Sequence, residues 1–169
     1  MLKNLIKNPS GEEGLNNWQD VVNGGDGWVV KSDFEHPKYP YPMKFFIASF
    51  QQCSKTQVID LLKAGYTKEV LDAQPNIAVS DWYATRADCE SSYELQVQLL
   101  SETREVIGEF SIKYKILSKD GANWNQVSHT FKKYGPGVRF VKFTHGGKDS
   151  RNWKGSYGIQ VSNSSVIIN

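Results

Sequence analysis

The side chain best placed to do chemistry is a tryptophan. Trp153 lies in the run His145-Gly146-Gly147-Lys148-Asp149-Ser150-Arg151-Asn152-Trp153-Lys154-Gly155-Ser156-Tyr157-Gly158. An aromatic ring flanked by Lys, Asn and Asp suits a sugar. The apolar C–H face of a pyranose stacks on the ring, and the polar neighbours hydrogen-bond the hydroxyls. The same tryptophan could instead fold back and plug the end of the domain. Trp82 and Tyr83 offer a second platform, but adjacent strand residues face opposite sides, so one of them belongs to the core. Phe50 closes an apolar strand just before Gln51-Gln52 and is either core or open at the edge.

Catalytic constellations are missing. Of the three histidines, His36 sits in a proline-rich loop. His129 shares a strand face with Val127 and Phe131 and reads as a core histidine, and His145 opens the run above and could orient it. There is no H-x-x-x-H spacing, C-x-x-C pair, phosphate loop or G-x-S-x-G elbow. Glu12-Glu13 stands beside turns and reads as solvated, and Cys53 and Cys89 have no motif that would mark a nucleophile. No enzyme, metal or cofactor is expected.

The elements that must position Trp153 are strands. Trp18 to Val22 and Trp28-Val29-Val30, joined by Asn23-Gly24-Gly25-Asp26-Gly27, give the strongest hairpin signal. Pro37, Pro40 and Pro42 make residues 32–42 an extended surface loop. Phe45 to Phe50 and Ile77 to Tyr83 read as strands, while Lys55 to Ala64 fits strand or helix. Thr67 to Asp72 predicts one or two helical turns with Thr67 as N-cap, ended by Pro75. Leu2, Leu5 and Ile6 could dock the N-terminal segment as another short helix. Two runs have a clear period of two, Tyr93 to Leu99 and Val106 to Ile116. Trp124 to Phe131, Val138 to Phe143 and Ile159 to Ile168 supply the last strands, with Tyr134-Gly135-Pro136-Gly137 as a tight turn between the first two. Many short strands with little helix predict an antiparallel β-sandwich, and residues 1–169 read as one domain.

Composition fits this reading. The chain has 169 residues, 39% hydrophobic and 22% charged, enough for a sizeable core. The formal net charge is only +2 and its Lys and Arg are scattered, so neither nucleic acid nor an anionic membrane is an expected partner. No apolar run approaches membrane-spanning length. The N-terminus is too short and polar for a secretory signal, and two cysteines make no disulfide framework. Free thiols and a cytoplasmic address are the expectation, which would leave the sequon Asn163-Ser164-Ser165 idle.

One family resemblance runs nearly the whole length. Asn4-Leu5-Ile6-Lys7-Asn8-Pro9-x-Gly11-Glu12-Glu13, Asn23-Gly24-Gly25-Asp26-Gly27-Trp28, Gln57-Val58-Ile59-Asp60-Leu61, Asp81-Trp82-Tyr83, Tyr93-Glu94-Leu95, Val127-Ser128-His129-Thr130-Phe131, Tyr134-Gly135-Pro136-Gly137-Val138-Arg139-Phe140, His145-Gly146-Gly147-x-Asp149 and Asn163-Ser164-Ser165-Val166 follow one another. Together they resemble the F-box-associated domain of the sugar-recognising F-box proteins. The resemblance implies an all-β, ten-stranded antiparallel sandwich of the galactose-binding-like jelly-roll kind. It also implies recognition of the chitobiose core of high-mannose N-glycans on misfolded glycoproteins, which that family presents to a cullin-based ubiquitin ligase.

The family's sugar-contacting positions carry over to Phe50, Asp88, Trp153 and Lys154. Asn152 stands where family members have tyrosine, and Ser156 where they have an aromatic. Losing one aromatic contact weakens binding by about 1 kcal/mol or more, roughly five- to tenfold. The alternative is therefore a protein-interaction or scaffold domain that keeps the fold and has lost the sugar. Nothing of an F-box precedes Asn4, so contact with the ligase adaptor is expected only if a longer natural chain supplies one.

Overall fold

The computed structural model describes residues 2–33, 43–86, 89–117, 124–150 and 154–169. The strands are β1 (Gln19–Asn23), β2 (Val29–Asp33), β3 (Met43–Ile47), β4 (Cys53–Asp60), β5 (Ile77–Ala84), β6 (Ser91–Leu100), β7 (Val106–Ile116), β8 (Asn125–Phe131), β9 (Phe140–Asp149) and β10 (Gln160–Ile168), with one helix, α1 (Lys68–Asp72), after β4. They form two five-stranded sheets, β1-β4-β9-β6-β7 and β2-β3-β10-β5-β8, and every pairing is antiparallel. The expected antiparallel sandwich of about ten strands is what forms.

The alternation read from the sequence decides what lies between the sheets. Tyr93, Leu95, Val97 and Leu99 of β6 are buried, as are Val141 and Phe143 of β9 and Val79 of β5. Their sheet mates Glu94, Gln96 and Gln98 face outward. A second, smaller cluster joins Phe45, Ile47, Ala84 and Trp124, with Trp82 packed against it. Trp82 and Tyr83 thus divide as adjacent strand residues must: Tyr83 stacks on Tyr93, ring centroids 4.5 Å apart. α1 also matches expectation. Thr67 caps it by accepting from the Val70 amide at 3.2 Å. Asp72 then pairs with Arg139, 2.9 Å away, fastening the helix to the strand linker.

Four expectations fail, each for a long-range reason. First, β1 and β2 do not form a hairpin. β1 pairs with β4 and β2 with β3, in different sheets. Trp18 and Trp28 are both buried in the main core, so the glycine turn carries the chain from one sheet to the other instead of folding it back. The turn is closed by the Gly27 amide on the Gly24 carbonyl and by the Asn23 carboxamide accepting from the Trp28 amide. Second, Tyr134 to Gly137 is not a tight turn on its own but part of the longer linker of residues 132–139 between β8 and β9.

Third, β9 does not stop at Phe143 but runs on through His145-Gly146-Gly147 to Asp149. A Cβ on Gly146 would lie 2.0 Å from the Cys53 carbonyl oxygen, and one on Gly147 would lie 1.9 Å from that of Ser92. These glycines admit the flanking strands; they do not break this one. Fourth, residues 2–17 form no helix. Leu5 and Ile6 dock as foreseen, but through backbone pairing, with the Leu5 amide on the Val166 carbonyl at 2.8 Å and Asn4 bridging to Ser164 and Val166.

Candidate functional site

Three segments meet at one end of the sandwich. The first is the turn after β1, the second the segment leaving β3, and the third the loop entering β10. Ser49 is their junction. Its hydroxyl accepts from the Asp26 amide at 3.0 Å and donates to the Gly155 carbonyl at 2.6 Å. The Gly155 amide donates to the Asp26 carboxylate at 2.7 Å, which closes a triangle. Backbone bonds continue it: Gly158 to Ala48, Ala48 to Ile159, and Asp149 to Ser49.

Phe50 and Lys154 are thereby brought to one end. The half-buried Phe50 ring rests on Gly25, where φ is +60° and a Cβ would stand 2.8 Å from the ring. Only glycine leaves room there and takes that backbone conformation freely. Lys154 is exposed, and Ser156 and Tyr157 are half-buried. A fourth segment, following β5, lies alongside. The Ser150 amide donates to the Glu90 carbonyl at 2.8 Å, and the Arg86 guanidinium sits 4.5 Å from the centre of the Tyr157 ring. Thr85 holds this segment by bonding Cys89 and Ser91. Asp88, Asn152 and Trp153 lie outside the described residues, as do residues 34–42 with His36, while Ser32 and Asp33 of the expected loop belong to β2.

Deeper between the sheets lies a polar chain that sequence reasoning did not find. The Asp81 carboxylate on β5 accepts from the Tyr93 hydroxyl at 2.6 Å, from the Ser164 hydroxyl at 2.7 Å and from His145 Nδ1 at 2.6 Å. The register shift in β10 between Ser162 and Ser165 accompanies Ser164's bond to Asp81. The Lys55 ammonium reaches His145 Nε2 at 2.7 Å and lies over the faces of Trp18 at 3.2 Å and Phe46 at 3.8 Å. Lys55, Asp81 and His145 are fully buried. His145 therefore orients no loop; it is the core link between lysine and carboxylate. The available signal was periodicity: once the 55–64 run is read as a strand, Lys55 shares a face with Ile59. His129 is half-buried and does not enter the core as expected: it stacks on Phe110 at 4.4 Å and lies edge-on to Phe131.

Burial sets the proton affinities. Desolvation drives the Lys55 pKa well below its ordinary value, with Asp81 pulling the other way. Desolvation also lowers His145, again against Asp81 and assisted by Lys55. Between the folded-state pKa of His145 and its unfolded value of 6.5, the unfolded chain binds a proton that the folded chain does not. Stability is thus retained above that window and falls as pH falls through it; Lys55 acts in the same direction below 10.5. Urea denaturation should give a lower midpoint at about pH 5 than at about pH 7.5. An equal or higher midpoint at the lower pH would rule out the neutral, buried imidazole.

Cys53 and Cys89 are both buried free thiols. Among the described residues, no group of three or more His, Cys, Asp or Glu could hold a metal ion. No described helix is long and apolar enough to cross a membrane.

The sandwich of two antiparallel five-stranded sheets is a fold that solved structures share. The galactotriose complex of TmCBM61 superposes with a TM-score of 0.63 over 99% of both chains, at 13% identity. The enzymatically active domain of bacteriophage CBA120 tailspike protein 4 gives 0.64 over 98% of this chain and 21% of its own, at 17% identity. At such identities the likeness is one of fold. Sequence narrows it further. The F-box associated region matches residues 1–168, and the chain belongs to that family. It is 47% identical to F-box only protein 2 of Bos taurus over 98% of its length and 59% of the relative's. With F-box only protein 44 of Homo sapiens the identity is 44%, over 98% of this chain and 68% of that one. The chain thus spans about three-fifths of the first relative and two-thirds of the second.

Proposed function

We propose that this chain is a non-enzymatic glycan-binding module for the chitobiose core of high-mannose N-glycans. The observation that carries the reading is the fastening of the Phe50 segment to the Lys154 loop through Ser49 and Asp26. The carbohydrate-binding fold and the F-box relatives support it. In this reading Trp153 stacks on a sugar ring, Phe50 forms the apolar floor, Lys154 and Asp88 hydrogen-bond hydroxyls, and Asn152 adds a polar contact where stacking is lost. The clients are misfolded glycoproteins met in the cytoplasm. Delivery to a ubiquitin ligase needs an F-box in the natural chain.

Titration with chitobiose tests this, with tryptophan fluorescence as the signal and a glycan array for selectivity. Saturable binding with a fluorescence change, and preference for chitobiose-bearing glycans, is the expected result. Silence at about millimolar chitobiose, a free energy no better than about −4 kcal/mol, moves the assignment to a scaffold that kept the sandwich. Asn152 and Ser156 are the residues that favour this second reading.

A further inference from the structure

We infer that Asp26 is a positioning residue for the sugar loop, acting through Gly155 and Ser49. The inference rests on the proposed glycan site but can be judged separately. Asp26 lies in a turn that connects strands of opposite sheets and contributes to neither. Its carboxylate is nevertheless aimed across 129 positions of sequence at the Gly155 amide, 2.7 Å away. Its own amide is held by the Ser49 hydroxyl, which in turn holds the Gly155 carbonyl. Both polar groups of the Gly155 backbone are thus taken by one triangle, immediately after Lys154 and five residues before β10.

The neighbours make this a device for placing side chains. Gly24 and Gly25 fix the turn from below. A Cβ on Gly24 would stand 2.3 Å from the Gln52 carbonyl oxygen, and one on Gly25 would strike the Phe50 ring. The same turn that offers Asp26 to the Lys154 loop therefore seats Phe50. Gly155 itself has φ of +108°, a conformation other residues rarely adopt, and the triangle holds that shape. A loop ordered before ligand arrives spends less of its contact energy on ordering, so releasing it weakens binding without removing any contact.

The test compares Asp26→Ala, Asp26→Asn and Lys154→Ala, reading hydrogen exchange at amides 154–158, chitobiose affinity and melting temperature. Asp26→Ala should speed exchange at these amides at least about tenfold and weaken chitobiose by about tenfold, as loss of one charge-assisted hydrogen bond implies, with melting little changed. Asp26→Asn keeps an acceptor oxygen and should restore most of both. Unchanged exchange and affinity in Asp26→Ala, with affinity lost in Lys154→Ala, would overturn the inference. So would failure of Asp26→Asn to rescue either. If the unaltered chain binds no chitobiose, the glycan reading falls and exchange alone decides: acceleration confined to 154–158 sustains the role of Asp26, and unchanged exchange ends it.

Discussion

Asp81→Ala should be among the most damaging single substitutions in the described core, costing about 3–5 kcal/mol. The carboxylate is the common acceptor for Tyr93, Ser164 and His145. Removing it strands three buried donors and leaves Lys55 without its counter-charge, in a protein class whose total stability is about 5–15 kcal/mol. The loss is one of broken partners more than of a favourable pair, and a second variant separates the two. Lys55→Met removes the buried amino group but keeps an unbranched apolar chain of similar reach against Trp18 and Phe46. Burial is the main force holding the His145 pKa down and Lys55 adds to it, so removing Lys55 raises the proton affinity of the imidazole beside Asp81. Lys55→Met should therefore cost clearly less than Asp81→Ala and should flatten the acid limb of the stability profile. Denaturant melts of both variants across pH decide it. Equal losses would mean that the carboxylate is not the centre of the chain of bonds.

That chain of bonds also marks where sequence reading stops. Strands with alternating patterns were legible because burial on one sheet face imposes period two: β6, β7, β5 and β10 lie within a residue or two of their expected bounds. α1 was legible because its cap and its proline stop are local. Pairing partners were not. Two strands separated by Asn23 to Gly27 look like a hairpin until Trp18 and Trp28 are seen to enter one core from opposite sheets. Gly146-Gly147 looks like a break until the carbonyls of Cys53 and Ser92 are found against it. Lys55 reads as a surface charge because lysines are almost never fully buried without partners, and its partners lie 26 and 90 positions away, on β5 and β9. At the candidate site, the aromatic-in-polar composition pointed to Trp153, and the family resemblance supplied Phe50, Asp88 and Lys154. Neither pointed to Asp26 or Ser49, whose role is to join segments.

Trp153→Ala carries the largest expected effect on binding. An aromatic platform under a sugar combines buried area with stacking and behaves as a hot spot. Its truncation should cost about 2 kcal/mol or more, roughly thirtyfold in affinity, and abolish measurable binding to a weak disaccharide ligand. The run Arg151-Asn152-Trp153-Lys154-Gly155 is too polar to build a core around its tryptophan, so the melting temperature should hardly move. The two readouts separate the uses of this residue that the sequence leaves open. Lost affinity with unchanged melting makes Trp153 the sugar platform. Lost stability makes it the plug that closes the end of the sandwich, and the loop then has no stacking face to offer. Unchanged affinity with unchanged melting would leave a binding site elsewhere on the molecule, and the roles assigned to Phe50, Asp88 and Lys154 would fall with it. The run from 150 to 156 holds no second aromatic residue, and Tyr157 is half-buried with its ring against Arg86, so the effect of removing Trp153 should be little diluted.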